Sequence, residues 1–149
     1  MILIAHRGNT NGKNKDRENS PDYINEAIYD GYDVEVDLWR VFGKLYLGHD
    51  YPQYEIDSDY LTDRSSSLWV HCKNSDALDY AISASLNCFF HDTDDYTFTH
   101  RGFVWAYPGK QAVADITICV MPENAREMDM SGFVGVCSDK VSEFKCLEK

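Results

Sequence analysis

Short apolar runs that end in polar or reactive side chains recur along the chain: ILIAHRG (2–8), YDVEVDLW (32–39), LWVHCKN (68–74), NCFFHD (87–92), GFVWAYPG (102–109), ITICVMPE (116–123) and GFVGVCSD (132–139). Runs of this length and composition predict about seven parallel strands buried on both faces. Two segments follow the helical period instead. In SPDYINEAIYDG, Ser20 is the expected N-cap and Pro21 the first helical residue, Ile24, Ala27 and Ile28 form an apolar stripe, and Gly31 closes the helix. In SDALDYAISASL, Ser75 is the expected N-cap, with Ala77, Leu78, Ala81 and Ile82 on one face.

Strand, helix and strand in succession make a βαβ unit, so the first half predicts an α/β architecture with a parallel sheet. Between residues 96 and 132 the strand-like runs follow one another too closely for intervening helices. A full barrel of eight βα units needs about 200 residues or more. The expected fold is therefore a compact, incomplete TIM-like (β/α) barrel of about seven parallel strands with several outer helices missing. A second copy of the chain could cover the helix-poor flank, so a homo-oligomer is one assembly compatible with the pattern. A turn at Gly43-Lys44 predicts a hairpin that returns His49 to the strand ends, and the polar residues 51–67 predict a loop over the same mouth.

Length and charge narrow the function. A chain of 149 residues predicts a single domain spanning 1–149. Its net charge of −11 argues against nucleic acid as a partner, because such affinity is built from lysines and arginines on phosphates. A small anionic ligand remains compatible with it. No apolar run of about 18 residues is present and no export signal is evident, so no membrane association and a cytoplasmic location are expected. A functional His6 would leave no room for a cleavable leader. Five cysteines, odd in number and without a CxxC pair, suggest four buried thiols within the strand-like runs and a reducing compartment.

Glu35 and Asp37 are two apart on a strand and so point to one side, while Val34, Val36 and Leu38 point to the other. Two adjacent carboxylates invite a cation, and all-oxygen ligands suit Mg²⁺ or Ca²⁺. Alone, such a pair is more often a solvated face. It gains meaning from its company: His6-Arg7-Gly8 ends the first strand, Glu18-Asn19-Ser20 precedes the first helix, and Gly48-His49-Asp50 closes the hairpin.

This ordered set resembles the glycerophosphodiester phosphodiesterase family, most closely over residues 2–50 and more weakly in WVHCKN and GFVGVCSD. The resemblance implies a barrel whose strand ends hold one divalent metal beside two catalytic histidines. On that basis His6 and His49 are the general acid and base, Glu35, Asp37 and Glu18 the metal ligands, and Arg7 and Lys73 the phosphate ligands. The implied substrate is a small phosphodiester. One departure stands out: the family's third strand carries Glu-x-Lys, whereas this chain has His71-Cys72-Lys73. An imidazole in place of a carboxylate shifts the site toward softer metals. His71, His91, Trp105 and Tyr107 are expected as walls of the site, with Lys110 and Glu123 as further residues at its mouth. The lost glutamate also motivates the alternative of a catalytically weak module that binds a phosphorylated ligand.

Overall fold

In the computed structural model, which describes residues 1–147, strand β1 (Ile2–His6) runs parallel to both neighbours, β2 (Asp33–Val41) and β10 (Phe133–Ser138). The N-terminal run is thereby the middle of the sheet. On one side β2 leads to β5 (Leu68–Cys72) and β6 (Cys88–Phe89); on the other β10 leads to β9 (Thr117–Val120) and β8 (Val104–Ala106), all pairing in parallel. Three strands pair antiparallel: β3 (Lys44–Leu47) on β2, β4 (Tyr54–Ile56) on β3, and β7 (Tyr96–Phe98) on β8.

The expected TIM-like barrel of parallel strands is overturned. The ten strands form one curled, mixed sheet, a half-barrel with few and short helices. A (β/α) barrel needs a helix after each strand to wrap the sheet. Among the described residues the parallel strands are linked through helices only by α1 (Pro21–Tyr29), the five-residue α2 (Ser58–Thr62) and α3 (Ser75–Ser83), and β9 is joined to β10 through a single 3₁₀ turn, Pro122–Asn124. Residues 51–67 also differ from a plain loop, forming β4 and the short α2 (Ser58–Thr62). Two bonds tie the β7 region to β6: His100 N–H donates to Cys88 O (2.7 Å) and Thr97 Oγ1 to Phe90 O (3.2 Å).

Period-two alternation divides the sheet into two faces. Val34, Val36, Leu38, Leu68, Val70 and Cys72 face outward, where α1 and α3 lay Ile24, Ala27, Ala77 and Ala81 against them. Burying an aliphatic side chain of this size is worth about 1.5–3 kcal/mol, so this layer stabilises the strand order that the site relies on. The inner face holds a smaller cluster of Ile4, Trp69, Phe89, Trp105 and Ile118. Gly135 lies where a Cβ would come 2.8 Å from Ile2 Cβ, Ile2 O and Ile118 Cδ1, so only glycine lets β1 and β9 flank β10 this closely.

The helix starts follow local chemistry. Ser20 Oγ accepts from Tyr23 N–H (3.4 Å) as the sequence predicts. For α3 the cap is Asn74 rather than Ser75: its Oδ1 accepts from Ala77 N–H (2.9 Å) while its Nδ2 donates to Arg40 O (2.9 Å), so one side chain ends a strand and begins a helix. Ile82, expected on the apolar face, is 46% exposed. The β2–β3 turn is Phe42-Gly43, one residue earlier than expected, and both residues have positive φ, the hallmark of a tight two-residue hairpin. Cys72, Cys88, Cys119 and Cys137 are free and buried; the side chain of Cys146 lies outside those described. Among the described residues no helix is long and apolar enough to cross a membrane.

Candidate active site

His6 is the last inner-face residue of β1, and the chain must reverse immediately after it. Arg7 (φ 54°) and Gly8 (φ 89°) accomplish this in the left-handed region, with Arg7 N–H donating to Glu35 O (2.9 Å). An arginine in that conformation is strained by about 1–2 kcal/mol, a cost that clusters at functional positions. The reversal aims His6 at Asp139, just past β10, with Nδ1 to Oδ1 at 2.7 Å. Asn9 Nδ2 donates to the same oxygen (2.8 Å), and Asp139 N–H is in turn held by Glu123 Oε1 (2.9 Å). Anchored through Nδ1, the ring turns Nε2 toward Glu35 Oε2, 3.9 Å away. Burial lowers the His6 pKa, but the Asp139 hydrogen bond and the Glu35 charge outweigh it, and the group is held above its ordinary value.

Glu35 and Asp37 occupy successive inner-face positions of β2 and are almost wholly buried. Asn19 fixes Asp37 from two directions: Nδ2 donates to Asp37 Oδ2 (2.8 Å), and Oδ1 accepts the Asp37 backbone N–H (2.9 Å). Arg7 Nε lies 2.9 Å from Asp37 Oδ2 and Lys73 Nζ 3.5 Å from Oδ1. His71, the inner-face residue of β5 opposite Asp37, brings Nδ1 to 3.1 Å from Asp37 Oδ1 and 3.8 Å from Glu35 Oε1. Against the upward push of burial, His71, Arg7 and Lys73 hold the Asp37 carboxyl far below the usual range. Glu35 goes the other way, raised by burial and by the Asp37 charge.

These residues fit a divalent cation. One ligand atom from each of Glu35, Asp37 and His71 lies within 4.8 Å of the others. Glu35 Oε2 and Asp37 Oδ1 are buried yet accept no aligned hydrogen bond. Buried carboxylate oxygens short of aligned donors are costly, Asp37 Oδ1 having only the ion-pair contacts of His71 and Lys73, and a metal at their focus would satisfy both. Glu18, expected as a third carboxylate ligand, is instead occupied by Arg7 Nη1 (3.2 Å) and Asn9 Nδ2 (3.0 Å). His71 stands in the triad in its place.

His49 reaches the mouth by a different route. Gly48 N–H donates to Asp37 O (3.1 Å), and Gly48 O accepts from Trp39 Nε1 (2.7 Å), which pins the residue before His49 to the site's own strand. Gly48 has φ 151°, and a Cβ there would strike Tyr51 O. His49 Nδ1 pairs with Asp50 Oδ1 at 2.7 Å. Its pKa is lowered, first by partial burial and then by the Arg7 charge.

His6, Arg7, Glu35, His49, His71 and Lys73 line one cavity of about 400 Å³, whose walls are Phe89, His91, Trp105 and Tyr107. His91 stacks between His71 (4.8 Å between ring centres) and Tyr107 (4.2 Å). Burial, then the neighbouring His71 and Lys73 charges, push His91 down to about 4, so it is a neutral wall at pH 7. Trp105 is also core, packed on Trp69 and Phe89.

Sequence reasoning overlooked Asn19, Asn9 and Asp139. Asn19 has φ 63°, and asparagine is one of the few side chains that tolerate that region, so Glu-Asn-Ser before a helix cap was a readable signal. Asp139 directly follows the last strand, as Arg7 directly follows the first, a parallel that strand-end counting would have found. No protein-family model, curated protein or solved structure matches the chain.

Proposed function

We propose that the protein is a metal-assisted hydrolase of a small phosphodiester. The observation that carries this reading is the convergence of two histidines with oppositely displaced pKa values, two cations and a buried Glu35/Asp37/His71 triad on one cavity. Titratable pairs whose environments push them apart are the mark of acid and base roles. His49, favoured neutral and half exposed at the mouth, accepts a proton from the attacking hydroxyl or water. His6, favoured as imidazolium by Asp139, donates its proton to the departing ester oxygen.

Arg7 and Lys73 contribute fixed positive charge toward the phosphoryl oxygens, where negative charge grows in the transition state. Arg7 is preorganised for this by Asp37 and Glu18, which hold its Nε and Nη1. A divalent cation held by Glu35, Asp37 and His71 would add charge stabilisation at the same oxygens. The carboxylates suit Mg²⁺ or Ca²⁺, and the imidazole makes Mn²⁺ an equally apt probe. The aromatic wall of His91, Trp105 and Tyr107 offers a surface for the alcohol portion of the ester.

The test is hydrolysis of bis(p-nitrophenyl) phosphate and of glycerophosphodiesters with each cation, comparing wild type with His6→Ala and His49→Ala. The proposal expects metal-dependent turnover, a loss of about 10²-fold or more in His49→Ala on every diester, and a comparable loss in His6→Ala on the glycerophosphodiesters, whose alkoxide leaving group needs the proton that p-nitrophenolate does not. Absence of turnover on every diester by folded protein would point instead to a module that binds a phosphorylated ligand without cleaving it.

A further inference from the structure

A second hollow of about 290 Å³ adjoins the site and shares Arg7 and His49 with it, so the two are compartments on either side of one pair of side chains. Lys13 and Lys15 also line it. Among the described residues neither lysine has a salt-bridge partner, in a chain with 25 acidic residues. The two carboxylates of this hollow are already engaged: Glu18 by Arg7 and Asn9, and Asp50 by His49.

The segment that bears the lysines is fastened on both sides of them. Asn14 N–H is held by Asn9 Oδ1 (3.0 Å), Gly12 N–H by Asp139 O (2.7 Å), and Arg17 by a two-pronged ion pair to Glu26 (2.8 and 2.9 Å). Asn9 and Asp139, which orient His6, therefore also anchor the loop that carries these cations. Fixed backbone, two ammonium groups outside any close ion pair, Lys13 acting on Asp139 only at longer range, and continuity with the reaction cavity describe a subsite for negative charge.

We infer that the substrate is a phosphodiester one of whose ester arms carries a second anionic group, a phosphate or a carboxylate, which sits on Lys13 and Lys15 while the scissile phosphate occupies the main cavity. The inference rests on the hydrolase reading for the scissile end and on this second hollow for the other. It names a substrate class more restricted than diesters of neutral alcohols. Tyr51 and Gln53 line the same hollow and add polar groups for the linking portion of the arm.

The test compares three p-nitrophenyl diesters whose second arm is ethyl, 2-phosphoethyl or 2-carboxyethyl, in wild type, in Lys13→Gln/Lys15→Gln, and in Lys44→Gln/Lys145→Gln, a change of equal charge away from the site. The readout is the ratio of kcat/KM for an anionic arm over the ethyl arm. Wild type is expected to favour at least one anionic arm by about fivefold or more, and which arm identifies the anion. The Lys13/Lys15 variant should bring the ratio to near one, and the remote variant should preserve it. A wild-type ratio near one for both anionic arms, or equal losses in the two double variants, overturns the inference. If wild type cleaves no diester at all, the hydrolase reading falls and the subsite is judged by calorimetry with ethylene glycol bisphosphate against ethyl phosphate. A bisphosphate preference abolished by Lys13→Gln/Lys15→Gln sustains the subsite; no preference sinks it.

Discussion

Asn19→Ala is expected to destabilise the protein more than any other single truncation of an uncharged side chain near the site. The substitution removes the acceptor of the buried Asp37 N–H and the donor to Asp37 Oδ2. Each buried group left without its partner costs about 1–3 kcal/mol. Alanine must in addition adopt φ 63°, at about 1–2 kcal/mol. The sum is about 3–8 kcal/mol, a large fraction of the roughly 5–15 kcal/mol by which domains are stable. Urea unfolding followed by tryptophan fluorescence measures it. With a slope of about 1.5 kcal/mol per molar, the midpoint should fall by about 2 M or more. Asn19→Gly separates the contributions, since it relieves the left-handed strain but not the lost hydrogen bonds, and should recover about 0.5–1 kcal/mol. A loss below about 1 kcal/mol for Asn19→Ala, or no recovery with glycine, would refute the reasoning.

Glu35→Gln removes a buried like charge beside Asp37, so thermal melting of the metal-free protein should rise, while the heat of Mn²⁺ binding in calorimetry should vanish; unchanged binding would exclude Glu35 as a ligand. His6, acting as the acid, must be protonated, and its raised pKa extends activity to higher pH. Asp139→Asn weakens that support, so the alkaline limb of the kcat/KM profile should shift toward lower pH; an unmoved limb would remove His6 from the acid role. Gly135→Ala forces a Cβ to 2.8 Å from Ile2 and Ile118 and should cost about 1–3 kcal/mol or more in urea unfolding, without a change in the slope.

The parts of the site that were legible in the sequence are those set by local periodicity. Alternation alone places Glu35 and Asp37 together and turns His6, His71 and Trp105 to the same inner face, because a strand repeats every two residues whatever it pairs with. What periodicity cannot convey is pairing direction and distance along the chain. Apolar runs of three or four residues read alike in parallel and antiparallel strands, so β7 and β4 were invisible and the expected TIM-like barrel gave way to a mixed, curled sheet. The His6–Asp139 contact joins residues 133 positions apart and exists only because β1 pairs with β10. The exchange of Ser75 for Asn74 as helix cap has a similar origin, since Asn74 is selected by its second bond to Arg40 across the sheet. That Glu18 is engaged by Arg7 and Asn9 is likewise a matter of contacts that sequence order does not reveal.

The central claim is that Glu35, Asp37 and His71 hold one divalent cation within reach of the two histidines. Crystals soaked with Mn²⁺ and inorganic phosphate, measured for anomalous scattering, test it directly. The account predicts a single strong peak with all three side chains at about 2.0–2.4 Å and phosphate oxygens between it and Arg7. An empty triad at saturating Mn²⁺, or a cation bound elsewhere with phosphate away from His6 and His49, would contradict it.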